Sequence, residues 1–363
     1  MKVLFDHQIF SWQKYGGISR YFYELMRNFS EDIVFSNSTV FSDNFYIHQN
    51  KDIVSHASFL TEKDLEWKKQ IYLKSNKLNS ILKLRLNDFD IFHPTYYDPY
   101  FLQHIGKKPF FLTVHDMIHE KHPNCFAEND LIRNYKKELI KKAAKIIAVS
   151  ENTKADIVEL YNYNPSNIEV VYHGFELSRH SNVTTKLSIP PKYVLFVGER
   201  AAYKNFSSFV KALSELMQKD DQLNLVCTGK DFNNDETTLL NKLGILSRTF
   251  VLQPDDNELS VLYQKALAFV FPSYYEGFGI PILEAFSNNC PVILSSASSF
   301  PEVAQDAAFY FDPFDVDSIQ HSIDKVIYNA DLRKELQQRG QERYKMFSWK
   351  TAAKKTELVY KTI

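Results

Sequence analysis

The sequence has no excess of charge of either sign, few cysteines and no long apolar run. Its 43 Lys and Arg residues balance 44 Asp and Glu residues, so no overall electrostatic field points to nucleic acid. Cys125, Cys227 and Cys290 lack the spacing of metal ligands and leave an odd thiol, which fits a reducing cytosol. No run approaches the roughly 18 apolar residues of a membrane-spanning helix, and the MKVLFDHQIF start lacks the features of a signal peptide. We therefore expect a cytoplasmic protein.

Glycine is also scarce, with 10 residues in 363, under half of the usual share of about 7%. Glycine fits positions where the backbone turns sharply or approaches a ligand, although ordinary turns explain any single one equally well. Most of the glycines come at or just after short apolar runs: Gly16, Gly17, Gly174, Gly198, Gly229, Gly277 and Gly279.

Short apolar runs alternate with helical patterns along the whole chain. Such alternation predicts an α/β fold with crossover helices and parallel sheets. The predicted strands are 2–6, 32–38, 90–93, 110–115, 145–150, 168–173, 193–198, 223–229, 250–253, 267–273 and 291–296. The predicted helices are 18–29, 62–86, 128–143, 151–161, 204–218, 236–243, 256–265, 280–288, 315–329 and 331–346.

The strand–helix pattern restarts near residue 192, after a polar stretch that contains Pro190 and Pro191. At roughly 100–200 residues per domain, 363 residues suggest two domains, which we place at 1–180 and 190–346. Both are predicted to be doubly wound, Rossmann-like domains, and 347–363 is a predicted helix that could belong to either one. Ligands of such sheets bind beyond the carboxyl ends of the strands, so we expect the domains to face a central cleft.

The segment PSYYEGFGIPILEAF (272–286) combines two carboxylates, a flexible turn and a helix start. Glu276 lies in the turn, whereas Glu284 lies one turn inside a helix that Gly279 and Pro281 begin. The carboxylates can bind hydroxyl groups at two places on one extended ligand, and the helix N-terminus suits a phosphate. The simpler alternative is a helix cap beside a solvated glutamate.

Two further segments follow predicted strands. Arg200 and Lys204 come just after the strand at 193–198, where two cations can neutralise a diphosphate, although a surface loop with ordinary charges is also common. Gly16 and Gly17 follow the first strand and precede a helix, so their N–H groups could contact a phosphate or a sugar. Their pattern is not the G-x-G-x-x-G of dinucleotide-binding proteins, so the segment gives little support to a nicotinamide cofactor.

His115 and Asp116 lie at the carboxyl end of another predicted strand, 110–115. A histidine there could hydrogen-bond a substrate hydroxyl, although a lone histidine is as often an ordinary polar residue. Together with His119 and His122 it does not match the spacing of a zinc site, and we expect no metal.

Two basic stretches bear on possible partners. Residues 62–86 hold seven Lys and Arg against three acidic residues, and residues 133–145 hold six against one. Basic amphipathic helices with aromatic residues can lie on an anionic membrane, whereas a solvated helix face is the simpler interpretation.

These segments together resemble the family 4 glycosyltransferases of the GT-B fold, a retaining group that uses nucleotide-sugars. The E-x7-E element of that family matches Glu276 and Glu284, its diphosphate-binding cations match Arg200 and Lys204, and its histidine matches His115. The glycine pair matches 16–17, and 298–315 also looks like the family sequence. The resemblance covers nearly the full length and is strongest in 193–315.

The resemblance implies a role for each of these residues. Glu276 would bind the donor sugar, Glu284 the ribose, and Arg200 and Lys204 the diphosphate. Gly16, Gly17, Phe278, Gly279 and Ile280 would assist at the diphosphate through backbone amides, His115 would contact the donor sugar near the reaction centre, and Asp116 would position His115 or the acceptor. No cofactor or metal is implied. Glu199 departs from the family pattern and could weaken the charge of Arg200. The helix at 347–363 would pack back onto the first domain.

The resemblance further implies a peripheral membrane enzyme that extends a lipid-linked glycan of the O-antigen or capsule type. The FDHQIF and YGGISRYF segments look like those of mannosyltransferases, which favours GDP-mannose or another GDP-sugar over the rival UDP-sugars. A non-catalytic sugar-binding or assembly protein, and a GT-B-like epimerase or phosphorylase, are the other hypotheses.

Overall fold

The computed structural model describes residues 1–49, 66–176 and 187–362. By its contacts the chain divides into two compact units. Unit 1 comprises Met1–Gly174 and Ser348–Ile363, and unit 2 comprises Phe175–Phe347. The predicted boundary at residue 180 and part of the predicted linker lie outside the described residues.

Unit 1 alternates strands and helices over most of its length. Its strands are β1 (Lys2–Phe5), β2 (Val34–Asn37), β3 (Ile91–His93), β4 (Phe111–Val114), β5 (Lys145–Ala148) and β6 (Ile168–Val170). Its helices before unit 2 are α1 (Gln8–Trp12), α2 (Gly17–Asn28), α3 (Phe45–Gln49), α4 (Glu66–Leu86), α5 (Ile118–Lys121), α6 (Ile132–Lys142) and α7 (Glu151–Tyr161).

The strands of unit 1 form two parallel three-stranded sheets, in the orders β2-β1-β3 and β4-β5-β6. A parallel bridge from Phe92 to Phe110 joins the edge of β3 to the start of β4. The strand order therefore reverses between β1 and β3. Such a switch point leaves a crevice at the carboxyl ends of the strands, where ligands of doubly wound sheets bind.

Unit 2 repeats the alternation with its own six strands. They are β7 (Tyr193–Phe196), β8 (Asn224–Thr228), β9 (Thr249–Leu252), β10 (Ala268–Phe271), β11 (Val292–Ser295) and β12 (Phe309–Phe311). Its helices are α8 (Phe206–Lys219), α9 (Asn234–Lys242), α10 (Asp256–Lys265), α11 (Ile280–Ser287), α12 (Phe300–Ala304), α13 (Val316–Ile327) and α14 (Ala330–Arg343).

The sheet of unit 2 is parallel and has the order β12-β11-β10-β7-β8-β9. Counted within the unit, this is the 3-2-1-4-5-6 order of Rossmann folds, with the switch point between β7 and β10. Strands β7, β10 and β11 are buried throughout, as expected of a parallel sheet with helices on both faces. The predicted class, two doubly wound Rossmann-like domains, is confirmed.

The last helix, α15 (Trp349–Tyr360), returns to unit 1. The Glu357 carboxylate accepts hydrogen bonds from the backbone N–H and the hydroxyl of Ser30, at 2.6 and 2.8 Å. The Tyr360 hydroxyl lies 2.6 Å from Nδ1 of His93 in the core. These polar contacts and the buried Trp349 fix the helix against the first sheet.

Five short elements were not predicted. Each is only three to five residues long, too short for the periodicity of either a helix or a strand to develop. They are α1, α3, α5, α12 and β12.

Candidate functional site

The central contact of unit 2 joins Lys204 to Glu276. Lys204 follows β7 and Glu276 follows β10, so both lie at the carboxyl edge of the sheet beside the switch point. Lys204 Nζ donates to Glu276 Oε1 at 2.5 Å, and each side chain is only 15% exposed. The Ser273 hydroxyl donates to the same carboxylate oxygen at 2.8 Å. The structure thus brings together two of the residues that the sequence singled out.

Two serines hold the turn that carries Glu276. The Glu276 N–H donates to Ser298 Oγ at 3.1 Å, and the Ser298 hydroxyl donates to the Glu276 carbonyl at 2.6 Å. Ser299 Oγ lies 3.0 Å from that carbonyl and 3.1 Å from the carbonyl of Phe278. The sequence analysis assigned no role to these serines. The sequence feature that could have identified these serines is their position shortly after β11, at the same edge of the sheet as Glu276.

The helix α11 begins immediately after this turn. Gly279 caps it with φ of +96°, a left-handed conformation that side chains rarely adopt. A Cβ atom on Gly279 would lie 3.0 Å from Ile282 and 3.1 Å from Phe300. Ile280 is the first helical residue, Pro281 follows it, and the first turn holds no acidic residue. The first turn of α11 therefore has no carboxylate of its own to offset the positive end of the helix dipole.

Glu284 lies within α11 and has a different partner from Glu276. The Tyr263 hydroxyl, from α10, donates to Glu284 Oε2 at 3.2 Å. Burial and the adjacent Glu284 carboxylate raise the pKa of Tyr263 well above its ordinary value, so the hydroxyl stays a donor. The two glutamates of the 272–286 segment are thus held in separate surroundings, as the sequence predicts for two contacts on one ligand.

The structure gives Arg200 several partners within unit 2, while its Nη1 has none among the described residues, and its role at the diphosphate stays a prediction. Its side chain is 5% exposed, and Nε donates to Glu236 of α9 at 2.9 Å. Nη2 donates to the carbonyls of Lys230 and Asp231, and the guanidinium lies 4.8 Å from the ring centroid of Phe232. Arg200 therefore ties the loop after β7 to the loop after β8.

Glu199 has a different partner from Arg200 in the structure. Glu199 is exposed and pairs with Lys230 at 3.2 Å, and the carboxylate that neutralises Arg200 is that of Glu236. Sequence reasoning missed Glu236 because it is 36 residues away and lies in the first turn of a helix, where a glutamate is ordinary. Its other oxygen accepts from Asn233 N at 2.9 Å in a capping box.

The residues singled out in unit 1 lie near the start of α2 and at the end of β4. Gly16 is the N-cap of α2, Gly17 is its first residue, and Tyr21 follows one turn later. The ring of His115 packs edge-on against that of Tyr21, with a centroid distance of 5.1 Å. Gly16 and Gly17 thus begin the helix whose Tyr21 packs against His115.

His115 is buried, and neither of its ring nitrogens has a hydrogen-bond partner among the described residues. Burial lowers the pKa of His115 to about 4, with Asp116 opposing and Lys136 reinforcing the shift. The imidazole is therefore neutral at pH 7, with one donor and one acceptor nitrogen. Buried polar atoms without partners are uncommon, so this ring is a candidate for a ligand contact.

Asp116 is held by Lys136, which lies in α6. The Lys136 ammonium donates to the Asp116 carbonyl at 2.9 Å and lies 3.6 Å from its carboxylate. It also donates to Glu120 at 3.1 Å. Burial opposes ionisation of Asp116, but Lys136 and the N–H of Ile118 outweigh it and lower the pKa of Asp116.

Lys136 itself is fully buried. At least one basic residue of 133–145 is therefore available neither to solvent nor to a membrane surface. Sequence reasoning missed it because a buried lysine and a surface lysine look alike in a basic helix.

Across residues 1–49, 66–176 and 187–362, no group of His, Cys, Asp and Glu side chains could hold a metal ion. The same residues include no helix long and apolar enough to cross a membrane.

Known proteins resemble this chain in fold and sequence. The structure superimposes on HepE from Anabaena, solved with UDP and glucose, with a TM-score of 0.76, 14% identity and coverage of 100% of this chain and 99% of that one. It also superimposes on WaaG, a glycosyltransferase of lipopolysaccharide biosynthesis, with a TM-score of 0.72, 14% identity and 98% of each chain covered. The fold is therefore that of the GT-B glycosyltransferases.

Sequence comparison goes further. The model for Glycosyltransferase Family 4 matches 15–179, and that for Glycosyl transferases group 1 matches 184–343. O-antigen chain mannosyltransferase B of Escherichia coli is 30% identical over 75% of this chain and 74% of its own length. O-antigen chain mannosyltransferase RfbU of Salmonella typhimurium is 32% identical over 59% of this chain and 60% of its own length. The chain therefore belongs to the family of GT-B glycosyltransferases that these two models and relatives represent, and it is itself a glycosyltransferase.

Proposed function

We propose that this protein transfers mannose from GDP-mannose, or a related sugar from a GDP-sugar, onto a glycan in the synthesis of an O-antigen or capsule polysaccharide. The observation that carries the proposal is the Lys204–Glu276 pair beside the N-terminus of α11. The similarity to two O-antigen mannosyltransferases supports the choice of sugar and glycan.

The donor binds to unit 2 through four features that differ in chemistry. Lys204 and the N-terminus of α11, at Phe278, Gly279 and Ile280, face the diphosphate. Glu276 accepts hydrogen bonds from the hydroxyls of the sugar, and Glu284 accepts them from the ribose. The departing nucleoside diphosphate gains negative charge, and a donor fixed in place before the reaction stabilises such charge by several kcal/mol.

Arg200 stabilises this site indirectly, because its guanidinium holds the loop that carries Lys204. The positive charge of Lys204 and the helix end serves in place of a metal ion. The sugar is transferred with retention of its anomeric configuration.

Unit 1 contributes residues of its own to the reaction. The neutral ring of His115 hydrogen-bonds a hydroxyl of the substrate, and Asp116, held by Lys136, orients the loop that carries both residues. The N–H groups of Gly16 and Gly17, at the start of α2, hydrogen-bond a sugar or a phosphate. The acceptor is lipid-linked, so the enzyme works in the cytoplasm at the inner face of the membrane.

A UDP-sugar is the second candidate donor. The structural neighbour HepE was solved with UDP-glucose. The two donors require the same carboxylate and lysine roles, so only a direct comparison separates them.

The test measures release of nucleoside diphosphate from a panel of GDP- and UDP-sugars, with lipid-linked glycan acceptors present. We expect turnover with GDP-mannose and much slower turnover with UDP-sugars. Turnover with a UDP-sugar but with no GDP-sugar would show that the proposed donor is wrong and that the proposed transfer reaction is right. Release of no nucleotide from any donor would reject the transferase and favour a non-catalytic sugar-binding protein.

A further inference from the structure

The helix α4 packs against unit 1 through an unusually polar face. The residues that it buries recur every four positions, as one side of a helix requires. They are Lys68, Tyr72, Asn76, Ser80 and Leu84.

These buried polar groups are specifically bonded. Asn76 Oδ1 accepts from the N–H groups of Val40 and Phe41 at 2.8 and 2.9 Å, and its Nδ2 donates to Ser11 Oγ and the Phe41 carbonyl. Lys68 pairs with Asp43 at 2.8 Å. Because buried amides and charges need such partners, these contacts fix which side of α4 faces inward.

The opposite side of α4 exposes apolar residues to solvent. Trp67 is 54% exposed, Leu78 is 63% exposed and Leu82 is 59% exposed, and Ile71 and Leu86 are also exposed. Positions 67, 71, 78 and 82 lie along one stripe of the helix. Single exposed apolar residues are ordinary, but a contiguous stripe marks a surface that binds a partner. The amphipathicity of α4 is therefore reversed, with its polar side inward.

The charges of α4 divide between the same two sides. From Trp67 to Leu86 the helix carries six basic residues and no acidic one. Lys68, Lys77 and Lys83 are bonded to Asp43, Asp98 and the Asn37 carbonyl within unit 1. Lys69, Lys74 and Arg85 are exposed and have no partner among the described residues. Lys74 and Arg85 lie within the apolar stripe.

We propose that the outer face of α4, defined by Trp67, Ile71, Lys74, Leu78, Leu82 and Arg85, docks onto an anionic lipid bilayer. Apolar side chains enter the interfacial region, while the cations contact anionic headgroups. A second copy of this chain fits less well, because it would bring like charges together with no carboxylate on the face. The proposal stands on this surface alone and does not depend on the reaction.

The test measures cosedimentation of the full-length protein with vesicles of phosphatidylcholine, with and without 30 mol% phosphatidylglycerol. We expect binding to the anionic vesicles that falls steeply with salt, and much weaker binding to the neutral ones. The Leu78→Gln/Leu82→Gln variant should bind at least tenfold more weakly. The Lys74→Glu/Arg85→Glu variant should lose roughly 20-fold or more, because each cation near such a surface contributes about fivefold.

Matched controls lie on α15 of the same unit. Leu358→Gln replaces a leucine that is 58% exposed, and Lys350→Glu/Lys354→Glu makes the same change of charge on exposed lysines. Both controls should bind as the wild type does. Equal losses in the controls and in the α4 variants would overturn the assignment of the face.

Trp67 gives a direct readout of insertion. With brominated lipids in the anionic vesicles, tryptophan fluorescence should be quenched, and Trp67→Phe should remove most of that quenching. Quenching that survives in Trp67→Phe would overturn the proposal, as would wild-type protein that binds neither kind of vesicle. Loss of self-association in the Leu78→Gln/Leu82→Gln variant, without any change in vesicle binding, would assign the face to a dimer interface instead.

Discussion

Lys204 and Glu276 are joined by a hydrogen bond of 2.5 Å between the ends of two strands that flank the switch point of unit 2. The pair neutralises two opposite charges that are mostly shielded from water. Under the proposed function, an incoming diphosphate competes with Glu276 for the ammonium, and the carboxylate that it frees becomes available to the sugar. Binding of the donor would then break this one ion pair.

Replacing Lys204 should slow turnover strongly without unfolding the protein. We expect Lys204→Met to lower kcat/KM by about 10²- to 10³-fold, since one fixed donor to developing charge is removed. Lys230→Met is the matched control, because Lys230 is an exposed cation of the same unit. Equal activity of the two variants would contradict the role of Lys204.

Replacing Arg200 should instead affect stability. Arg200→Met leaves the mostly buried Glu236 carboxylate without its partner, and we expect a loss of roughly 2–4 kcal/mol in the free energy of unfolding. The double variant Arg200→Met/Glu236→Gln should recover part of that loss. Urea unfolding followed by far-UV circular dichroism measures both. A stable Arg200→Met variant with no turnover would show that Arg200 contacts the ligand directly.

Unit 1 should lose stability as the pH falls below about 6.5. Burial lowers the pKa of His93 to about 3 and that of His115 to about 4, and it lowers the pKa of His173 well below the ordinary value. Below about pH 6.5 the unfolded chain therefore binds protons that the buried histidines of the folded protein do not bind. The free energy of unfolding keeps its full value well above pH 6.5 and decreases as the pH falls below it. Between pH 7.5 and 5.5 each histidine should cost about 1.4 kcal/mol.

Tryptophan fluorescence isolates this effect, because Trp12, Trp67 and Trp349 all belong to unit 1. The pH dependence of the unfolding free energy should decrease by about one proton in His115→Gln. A pH dependence that is unchanged in this variant would show that His115 is protonated in the folded state.

The left-handed turn at Gly279 should not tolerate a side chain. Gly279→Ala combines the cost of a positive φ, roughly 1–2 kcal/mol, with contacts of 3.0 and 3.1 Å to Ile282 and Phe300. Gly244→Ala is the matched control, because Gly244 has φ of +69° and open space around it. We expect Gly279→Ala to be the less stable variant by thermal unfolding and to bind GDP more weakly. Equal stabilities of the two variants would show that Ile282 and Phe300 move away from the added methyl group without a loss of free energy of unfolding.

The sequence predicts the 272–286 segment well because its signals are local. A buried strand, two glycines and a proline place Glu276 in a turn and Glu284 in a helix, and the structure agrees. Lys204 was likewise located by its position after a strand. The alternation of strands and helices predicted the strands of all three sheets for the same reason, apart from the three-residue β12.

The orientation of individual side chains could not be predicted. Arg200 turns inward because Glu236 of α9 pairs with it, and Lys136 is buried together with its partners Asp116 and Glu120. The basic pattern of α4 was visible, but the contacts of Asn76 decide which side faces solvent. Each of these outcomes depends on partners that are distant in the sequence.

Binding of GDP and of GDP-mannose by calorimetry, in the wild type, Lys204→Met and Glu276→Gln, tests the donor site most directly. Lys204→Met should weaken both ligands, because both contain the diphosphate. Glu276→Gln should weaken GDP-mannose relative to GDP, because only GDP-mannose contains the sugar, and it should not weaken GDP, because the diphosphate no longer competes with a carboxylate for Lys204. An unchanged ratio of the two affinities in Glu276→Gln, or wild-type affinity for GDP in Lys204→Met, would contradict the account.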